Sequence, residues 1–392
     1  MSAESRPLVL GMVAGEASGD LLGAGVLKGL KQLGAQVKAV GIGGPAMLAE
    51  GLEPLADMDQ LAVNGFAEPL ARLPSLVKLL RMLRREFVER GVDGFLGVDF
   101  NVFNFLLERG LKRRGIPTAH YVSPSVYAWR RGRVKRIARS TDLLLALYPF
   151  EQALYAETDV QVAYVGHPLA DSIELDAGSA ANRQLARQAL QIPDGHRCIA
   201  LLPGSRGGEL RQMLPLFLDA ASRLNTALQP VTFVLPSPRS MLREQIQQAL
   251  LQYPQLSVVV DPEPARRALT AAEAALVKSG TSTLEALLLR CPMVVSYRLG
   301  GFSYQVVRRL LRTPYIALPN ILAQRALVPE VLQNEATPDR LATCLLEQLD
   351  RVAAGDEYQN SSRLLHESLR CDANLRAATA LLSFLRPQGQ VA

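Results

Sequence analysis

The chain is predicted to be α/β, with two Rossmann-like doubly wound domains followed by helices. Three observations carry this. Its short apolar runs are continuous rather than alternating, each ends in Gly or a polar residue before a helix-length periodic segment, and the series occurs twice. Continuous hydrophobicity marks strands buried on both faces, as in parallel sheets covered by helices. Two such series in succession give two domains, and 392 residues are enough for each to bury its own core.

In the first half the expected strands are Leu8–Val13, Val37–Ile42, Gly94–Val98, Thr118–Val122, Leu143–Leu147 and Val162–Val165. The second half repeats the rhythm with Cys198–Leu202, Val231–Leu235, Leu256–Val260, Ala274–Val277, Met293–Tyr297 and Tyr315–Leu318. Asp, Gly, Ser and Ala thin the apolar pattern over Leu169–Ala181, which places the domains at 1–170 and 171–392. From about Pro338 only helical periodicity remains, so 338–392 is expected to form helices outside the body of the second domain.

Doubly wound sheets bind ligands on the loops that follow their strands. After Cys198–Leu202 comes Pro203-Gly204-Ser205-Arg206-Gly207-Gly208-Glu209. Glycines let backbone approach a phosphate, the next helix N-terminus favours negative charge, and Arg206 can grip it. The competing reading is a tight turn with a solvated arginine. After Ala274–Val277 comes Lys278-Ser279-Gly280-Thr281-Ser282-Thr283-Leu284-Glu285, again opening a helix. Glu285 can accept from both ribose hydroxyls. Against this stands Thr281 as an N-cap with Glu285 a favourable first-turn charge. Two phosphate-type loops in one domain favour a nucleotide diphosphate.

In the first domain Gly15-Glu16-Ala17-Ser18-Gly19-Asp20 follows the first strand, and Gly41, Gly43 and Gly44 the second, without the Gly-x-Gly-x-x-Gly of dinucleotide sites. Asp99 ends Gly94–Val98, where a carboxylate can take a proton from a hydroxyl. Its alternative is an N-cap for a helix starting near Asn101 or Val102.

Composition narrows the class. Hydrophobic residues make 48% and charged residues 20%, so the chain is globular, and the net charge of +6 suits an anionic substrate, a membrane surface or a nucleic acid. Four scattered cysteines and four scattered histidines show no metal-ligand spacing and point to a reducing compartment. Without a signal-peptide pattern or an apolar run near the ~20 residues of a membrane span, a cytoplasmic location is expected. From Pro74, read as a first helical residue, to Arg90 the pattern is amphipathic. Leu76, Val77, Leu79, Leu80, Leu83 and Phe87 share a face, with Lys78, Arg81 and Arg85 opposite. Such a helix packs on a core or lies at an anionic bilayer as an entrance for acyl chains. The basic run Trp129–Arg139 sits in no recognised nucleic-acid module, so no nucleic-acid partner is expected.

Several stretches resemble, in this order and separation, the lipid-A-disaccharide synthase family over nearly the full length. They are Gly15–Asp20, Gly41–Pro45, His120–Arg130, Gly166–Pro168, Leu202–Gly207, Ser279–Thr281 and Leu318–Leu322. The resemblance implies a glycosyltransferase-B architecture with a central cleft between the domains. It implies inverting, metal-independent transfer of 2,3-diacylglucosamine from its UDP conjugate to 2,3-diacylglucosamine 1-phosphate, with no cofactor. It also implies peripheral association with the cytoplasmic face of the inner membrane, and homodimers that exchange C-terminal segments. By position, Asp99 would activate the acceptor 6-hydroxyl. Gly204, Ser205, Arg206, Ser279, Gly280, Thr281, Glu285 and Asn320 would hold the UDP-sugar, and Glu16, Ser18 and Ser123 would line the acceptor side. One departure stands out: where the family continues after this aspartate with Ala-Pro-Asp-Phe-Asn, this chain has Phe100-Asn101-Val102-Phe103-Asn104. Asp57-Met58-Asp59 has the Asp-x-Asp form of metal-using glycosyltransferases but lies away from the phosphate-type loops and is read as coincidence. A UDP-N-acetylglucosamine 2-epimerase shares the nucleotide loops and remains an alternative, as does a non-catalytic nucleotide-sensing membrane scaffold.

Overall fold

In the computed structural model, the structure describes residues 6–61, 69–124, 134–298 and 314–386, without the side chains of 69–73. Ser125–Arg130 of the matched stretch and Trp129–Arg133 of the basic run lie outside the described residues. The chain forms two compact units, 1–171 with 369–392, and 172–368.

The first unit carries strands β1 (Leu8–Ala14), β2 (Val37–Ile42), β3 (Glu53–Pro54), β4 (Gly94–Val98), β5 (Thr118–Tyr121), β6 (Leu143–Ala146) and β7 (Gln161–Tyr164). They form one sheet in the order β3-β2-β1-β4-β5-β6-β7, every pair parallel. Helices α1 (Ala17–Gln32), α2 (Pro45–Ala49), α3 (Pro69–Glu89) and α4 (Asn101–Lys112) connect the first four strand positions to β5, and α5 (Val134–Ala138), α6 (Glu151–Leu154) and α7 (Pro168–Ser172) follow.

The second unit holds β8 (Arg197–Leu202), β9 (Val231–Pro236), β10 (Val258–Asp261), β11 (Ala274–Lys278), β12 (Met293–Tyr297) and β13 (Glu330–Leu332). Their order is β10-β9-β8-β11-β12-β13, again parallel throughout. Its helices are α8 (Ala180–Ala189), α9 (Gly207–Ala227), α10 (Ser240–Leu250), α11 (Ala265–Ala271), α12 (Thr281–Leu288), α13 (Leu318–Ala323), α14 (Pro338–Ala353) and α15 (Glu357–Leu369). Phe217, Phe233, Leu276 and Leu345 meet in its core. The final helix is α16 (Ala373–Leu385). In each sheet the strand order reverses once, between β1 and β4 and between β8 and β11. Loops leaving such neighbours diverge to opposite faces and open a crevice.

Four expectations need correction. Tyr315–Leu318 is not a strand: the N–H groups of Ile316 and Ala317 donate to the Glu330 carboxylate at 3.0 and 2.9 Å, and Leu318 begins α13. Glu330–Leu332 takes the edge place beside β12 instead. The terminal helices do not stay together, because α16 belongs to the first unit while α14 buries Leu341 and Leu345 in the second. Gly29 of α1 leaves the groove that α16 fills, for a Cβ there would stand 2.6 Å from Asn374 O and 2.8 Å from Ala378 Cβ. Asp171 holds the start of α16, accepting from Asp372 N at 2.9 Å and Ala373 N at 2.6 Å.

Pro74 lies inside α3, which begins at Pro69. As the sixth helical residue it lies past the first turn and forgoes the backbone hydrogen bond to the carbonyl of residue 70. The apolar face of α3 proves to be a core face. Leu79, Leu83 and Phe87 pack with Val13, Ile42, Phe95 and Leu107, and Leu76 and Leu80 border the same cluster. Leu83 and Phe87 are fully buried, so these side chains offer no surface to acyl chains. Lys78, Arg81 and Arg85 are exposed on the outer face. Among the described residues no helix is long and apolar enough to cross a membrane.

Candidate active site

Asp99 and the Gly15–Ser18 loop are neighbours because β4 pairs with β1, Ala14 opposite Val98. Glu16 is the N-cap residue of α1 and Ser18 lies in its first turn, both exposed. Asp20, one turn further in, has a structural task. Its carboxylate accepts from Gly44 N at 2.8 Å, Ala46 N at 2.9 Å and Met47 N at 2.9 Å, tying α1 to the N-terminus of α2. That contact accounts for Gly44, where a Cβ would come 2.6 Å from Asp20 Oδ2.

The β4–α4 turn is strained. Asp99 and Phe100 have φ of +49° and +45°, a region that costs a non-glycine residue on the order of 1–3 kcal/mol. Asn104 holds the turn, its amide donating to Asp99 O at 2.8 Å and Val13 O at 3.1 Å, while Asp99 N donates to Tyr121 O at 2.9 Å. The Phe100 ring packs where a Cβ on Gly15 would sit. Asp99 therefore does not cap α4; Phe100 is the N-cap residue and makes no side-chain cap bond. The Asp99 side chain is half-buried, with Asn101 Nδ2 donating to its Oδ1 at 3.1 Å. Asp57 is a local turn residue that accepts from Asp59 N at 2.8 Å.

Ser123 is a correction. It is buried, and its Oγ lies 3.0 Å from Tyr155 Oη, so it faces the core rather than an acceptor. Beside it Glu151 is buried, and burial pushes its carboxyl up to about 8 against hydrogen bonds from Tyr148 N, Leu147 N and Ser123.

In the second unit, β11 pairs with β8, Val277 opposite Leu202, which sets the two phosphate-type loops side by side. Together they wall a cavity of about 420 Å³ lined by Gly204, Ser205, Arg206, Ser279, Gly280 and Thr281, within the ~300–1,000 Å³ of small-molecule sites. Helices α9 and α12 start at this cavity with Arg206 and Gly280 as N-cap residues and no side-chain cap on either. Their first N–H groups and dipoles favour an anion. Thr281 is thus the first helical residue, not the cap.

Gly204 has φ of +124°, a conformation open to glycine, and a Cβ there would lie 2.7 Å from the Glu209 side chain. Glu209 clamps the loop. It accepts from Ser205 N at 3.3 Å and pairs with Lys278 at 2.9 Å, while Lys278 lies 4.9 Å from the Tyr297 ring centre. Burial alone raises the Glu209 pKa, but Lys278, the Ser205 N–H and Arg206 more than offset it and lower it overall. Arg239 also lines the cavity and donates to Ser205 O at 3.3 Å. Sequence reasoning missed the roles of Glu209, Lys278 and Arg239. Lys278 and Glu209 are 69 residues apart, and only their position at loop bases hinted at a link.

Two expected donor residues do not line this cavity. Glu285 lines a second cavity with Asn182 and Arg266, 3.6 Å from Arg266 Nε; Pro264 borders both cavities. Burial raises its pKa, partly countered by Arg266. Asn320 is buried with its amide occupied, donating to Val328 O at 2.9 Å and Glu330 Oε1 at 2.8 Å and accepting from Val328 N at 2.8 Å. It shapes the loop after α13 instead of presenting its amide to the cavity.

Residues 10–384 match the family model described as lipid-A-disaccharide synthetase. The lipid-A-disaccharide synthase of Azotobacter vinelandii is 47% identical over 378 residues, 96% of this chain and 97% of that protein. Among solved structures, the glycotransferase of kitacinnamycin superposes with a TM-score of 0.62 at 18% identity, covering 97% of this chain and 99% of its own. The UDP-GlcNAc 2-epimerase of Neisseria meningitidis bound to UDP-GlcNAc gives 0.62 at 13% identity, covering 96% and 100%. At such identities these two structures establish a shared fold, the glycosyltransferase-B architecture, and no more.

Proposed function

The chain belongs to the lipid-A-disaccharide synthetase family, and from that premise we propose how its residues divide a glycosyl transfer. The reaction joins 2,3-diacylglucosamine from its UDP conjugate to 2,3-diacylglucosamine 1-phosphate and releases UDP. Asp99 takes the proton of the acceptor 6-hydroxyl, and the oxygen attacks the anomeric carbon of the donor. The bond from that carbon to the β-phosphate oxygen breaks, its electron pair leaving with UDP. A single displacement of this kind inverts the anomeric centre. Arg206, Arg239 and the starts of α9 and α12 receive the charge that develops on the diphosphate. The observation that carries this donor assignment is the pair of uncapped helix N-termini around the 420 Å³ cavity.

The acyl chains of both substrates place the work at a membrane surface, on the cytoplasmic face of the inner membrane. The exposed bases of α3, with Lys135, Arg136 and Arg139 beside the buried Val134 and Ile137, supply the attraction, at ~1 kcal/mol per residue near an anionic bilayer. In a homodimer that exchanges C-terminal segments, the packing of α16 on α1 would form between two copies.

The test follows disaccharide and UDP with both acylated substrates present. Asp99→Asn should cut turnover by ~10²–10⁴-fold while UDP affinity and thermal stability hold. A near-normal rate in the folded variant removes Asp99 from the chemistry.

A further inference from the structure

We propose that Asp99 is aimed by a chain of four hydrogen bonds rising from the core, Thr141–Glu108–His120–Asn101–Asp99, in which Glu108, His120 and Asn101 are positioning residues. The proposal rests on reading Asp99 as the base.

Thr141 Oγ1 donates to Glu108 Oε2 at 2.6 Å, and Glu108 Oε1 lies 2.6 Å from His120 Nδ1. His120 Nε2 is 3.2 Å from Asn101 Oδ1, and Asn101 Nδ2 donates to Asp99 Oδ1 at 3.1 Å. Thr141, Glu108 and His120 are completely buried. Three elements bring them together: α4 carries Asn101 and Glu108, β5 carries His120, and Thr141 precedes β6. The surroundings hold the parts in place. The Phe105 ring stacks on His120 with centres 4.3 Å apart, and Gly97 leaves the space that the Glu108 carboxylate fills.

The direction of the chain follows from donors and acceptors. Turned over, the Asn101 amide would set its oxygen against the Asp99 carboxylate, so the oxygen faces His120. An amide oxygen only accepts, and Nε2 must therefore carry a hydrogen. Fixing Oδ1 of Asp99 leaves Oδ2 to face the acceptor hydroxyl, and among the described residues nothing donates to Oδ2. A Glu108–His120 pair with a packing role only would have no need to spend its outer nitrogen on this half-buried asparagine.

The experiment is steady-state kinetics on the full chain with Asn101→Ala, Asp99→Asn and the double variant. Asn101→Ala should lower kcat by about tenfold with KM for both substrates and the melting temperature unchanged, since a misaimed base slows chemistry without weakening binding. In the Asp99→Asn background the same change should alter the residual rate by less than about twofold. Equal losses in both backgrounds, or no loss in the Asp99 background, overturn the positioning role. A near-normal Asp99→Asn rate instead overturns the reading of the base and is seen in that single variant. Glu108→Gln guards against misfolding as the cause, because its amide can donate to Nδ1 and keep the hydrogen on Nε2. It should keep kcat within about threefold, whereas Glu108→Leu should match Asn101→Ala. Equal damage from Gln and Leu overturns the proposal.

Discussion

Substituting Gly204 by alanine tests the donor loop by its backbone, without touching a charged side chain. At φ of +124° an alanine is strained by on the order of 1–3 kcal/mol. Its Cβ would also stand 2.7 Å from both Cβ and Oε2 of Glu209, so the glutamate must move. Movement loosens the 2.9 Å pair with Lys278 and the 3.3 Å contact with Ser205 N. That pair is partly solvated, and its loss adds about 1 kcal/mol. If UDP requires the original loop shape, restoring it on binding draws about 1–3 kcal/mol from the affinity, a rise in Kd of about 5–150-fold. Calorimetric titration with UDP measures this directly, beside a melting curve to show that the fold survives. Gly208→Ala is the control, since a Cβ there meets nothing within 4 Å. Unchanged UDP affinity for folded Gly204→Ala would refute the placement of the diphosphate at this loop. Equal losses at Gly208 would show that bulk, not loop geometry, is responsible.

Arg206→Ala should raise the Kd for UDP by about tenfold or more, the loss of one charge-assisted contact of ~1.5–3 kcal/mol; an unchanged titration moves the donor site elsewhere. Leu83→Ser should destabilise the protein by ~2–5 kcal/mol in denaturant melts, because Leu83 is fully buried in the first core. Reversing Lys78, Arg81 and Arg85 to glutamate should instead reduce binding to anionic vesicles and leave the melt unchanged; the opposite pattern would restore α3's apolar face to the membrane. Glu151 has a folded pKa of about 8 against 4.5 for the free group, so the native state holds the extra proton between those values. Its contribution to stability is complete below pH ~4.5 and lost as pH rises through 8, on the order of 5 kcal/mol in all. Glu151→Gln should therefore be more stable than the parent at pH 8, with the gap closing towards pH 5; parallel melting curves across that range would contradict it.

The resemblance in the sequence already pointed to the family and to the acylated sugar substrates. Continuous apolar runs such as Leu8–Val13 and Cys198–Leu202 determine parallel, doubly covered strands, because only a strand buried on both faces lacks alternation. The loops at Pro203–Arg206 and Ser279–Thr281, and Asp99 at the end of Gly94–Val98, were legible for a related reason: glycine, hydroxyl and charged residues at the end of an apolar run have no place in the core. What covers an apolar face is not written in its period. The face of α3 bearing Leu79, Leu83 and Phe87 reads equally as core or membrane contact, and only the packing against Val13 and Phe95 decides it. The same holds for α16, whose sequence gives a helix but whose partner is set by the space at Gly29 of α1. Strand order lay beyond reach for a different reason. The pairings β1 with β4 and β8 with β11 join segments far apart in the chain, and those pairings bring the loops together. Ser123 turning inward, Asn320 spending its amide on Glu330, and Lys278 meeting Glu209 are all consequences of such long-range contacts. Local sequence specifies which groups are able to act, and tertiary pairing, by satisfying some of them internally, decides which remain to face a ligand.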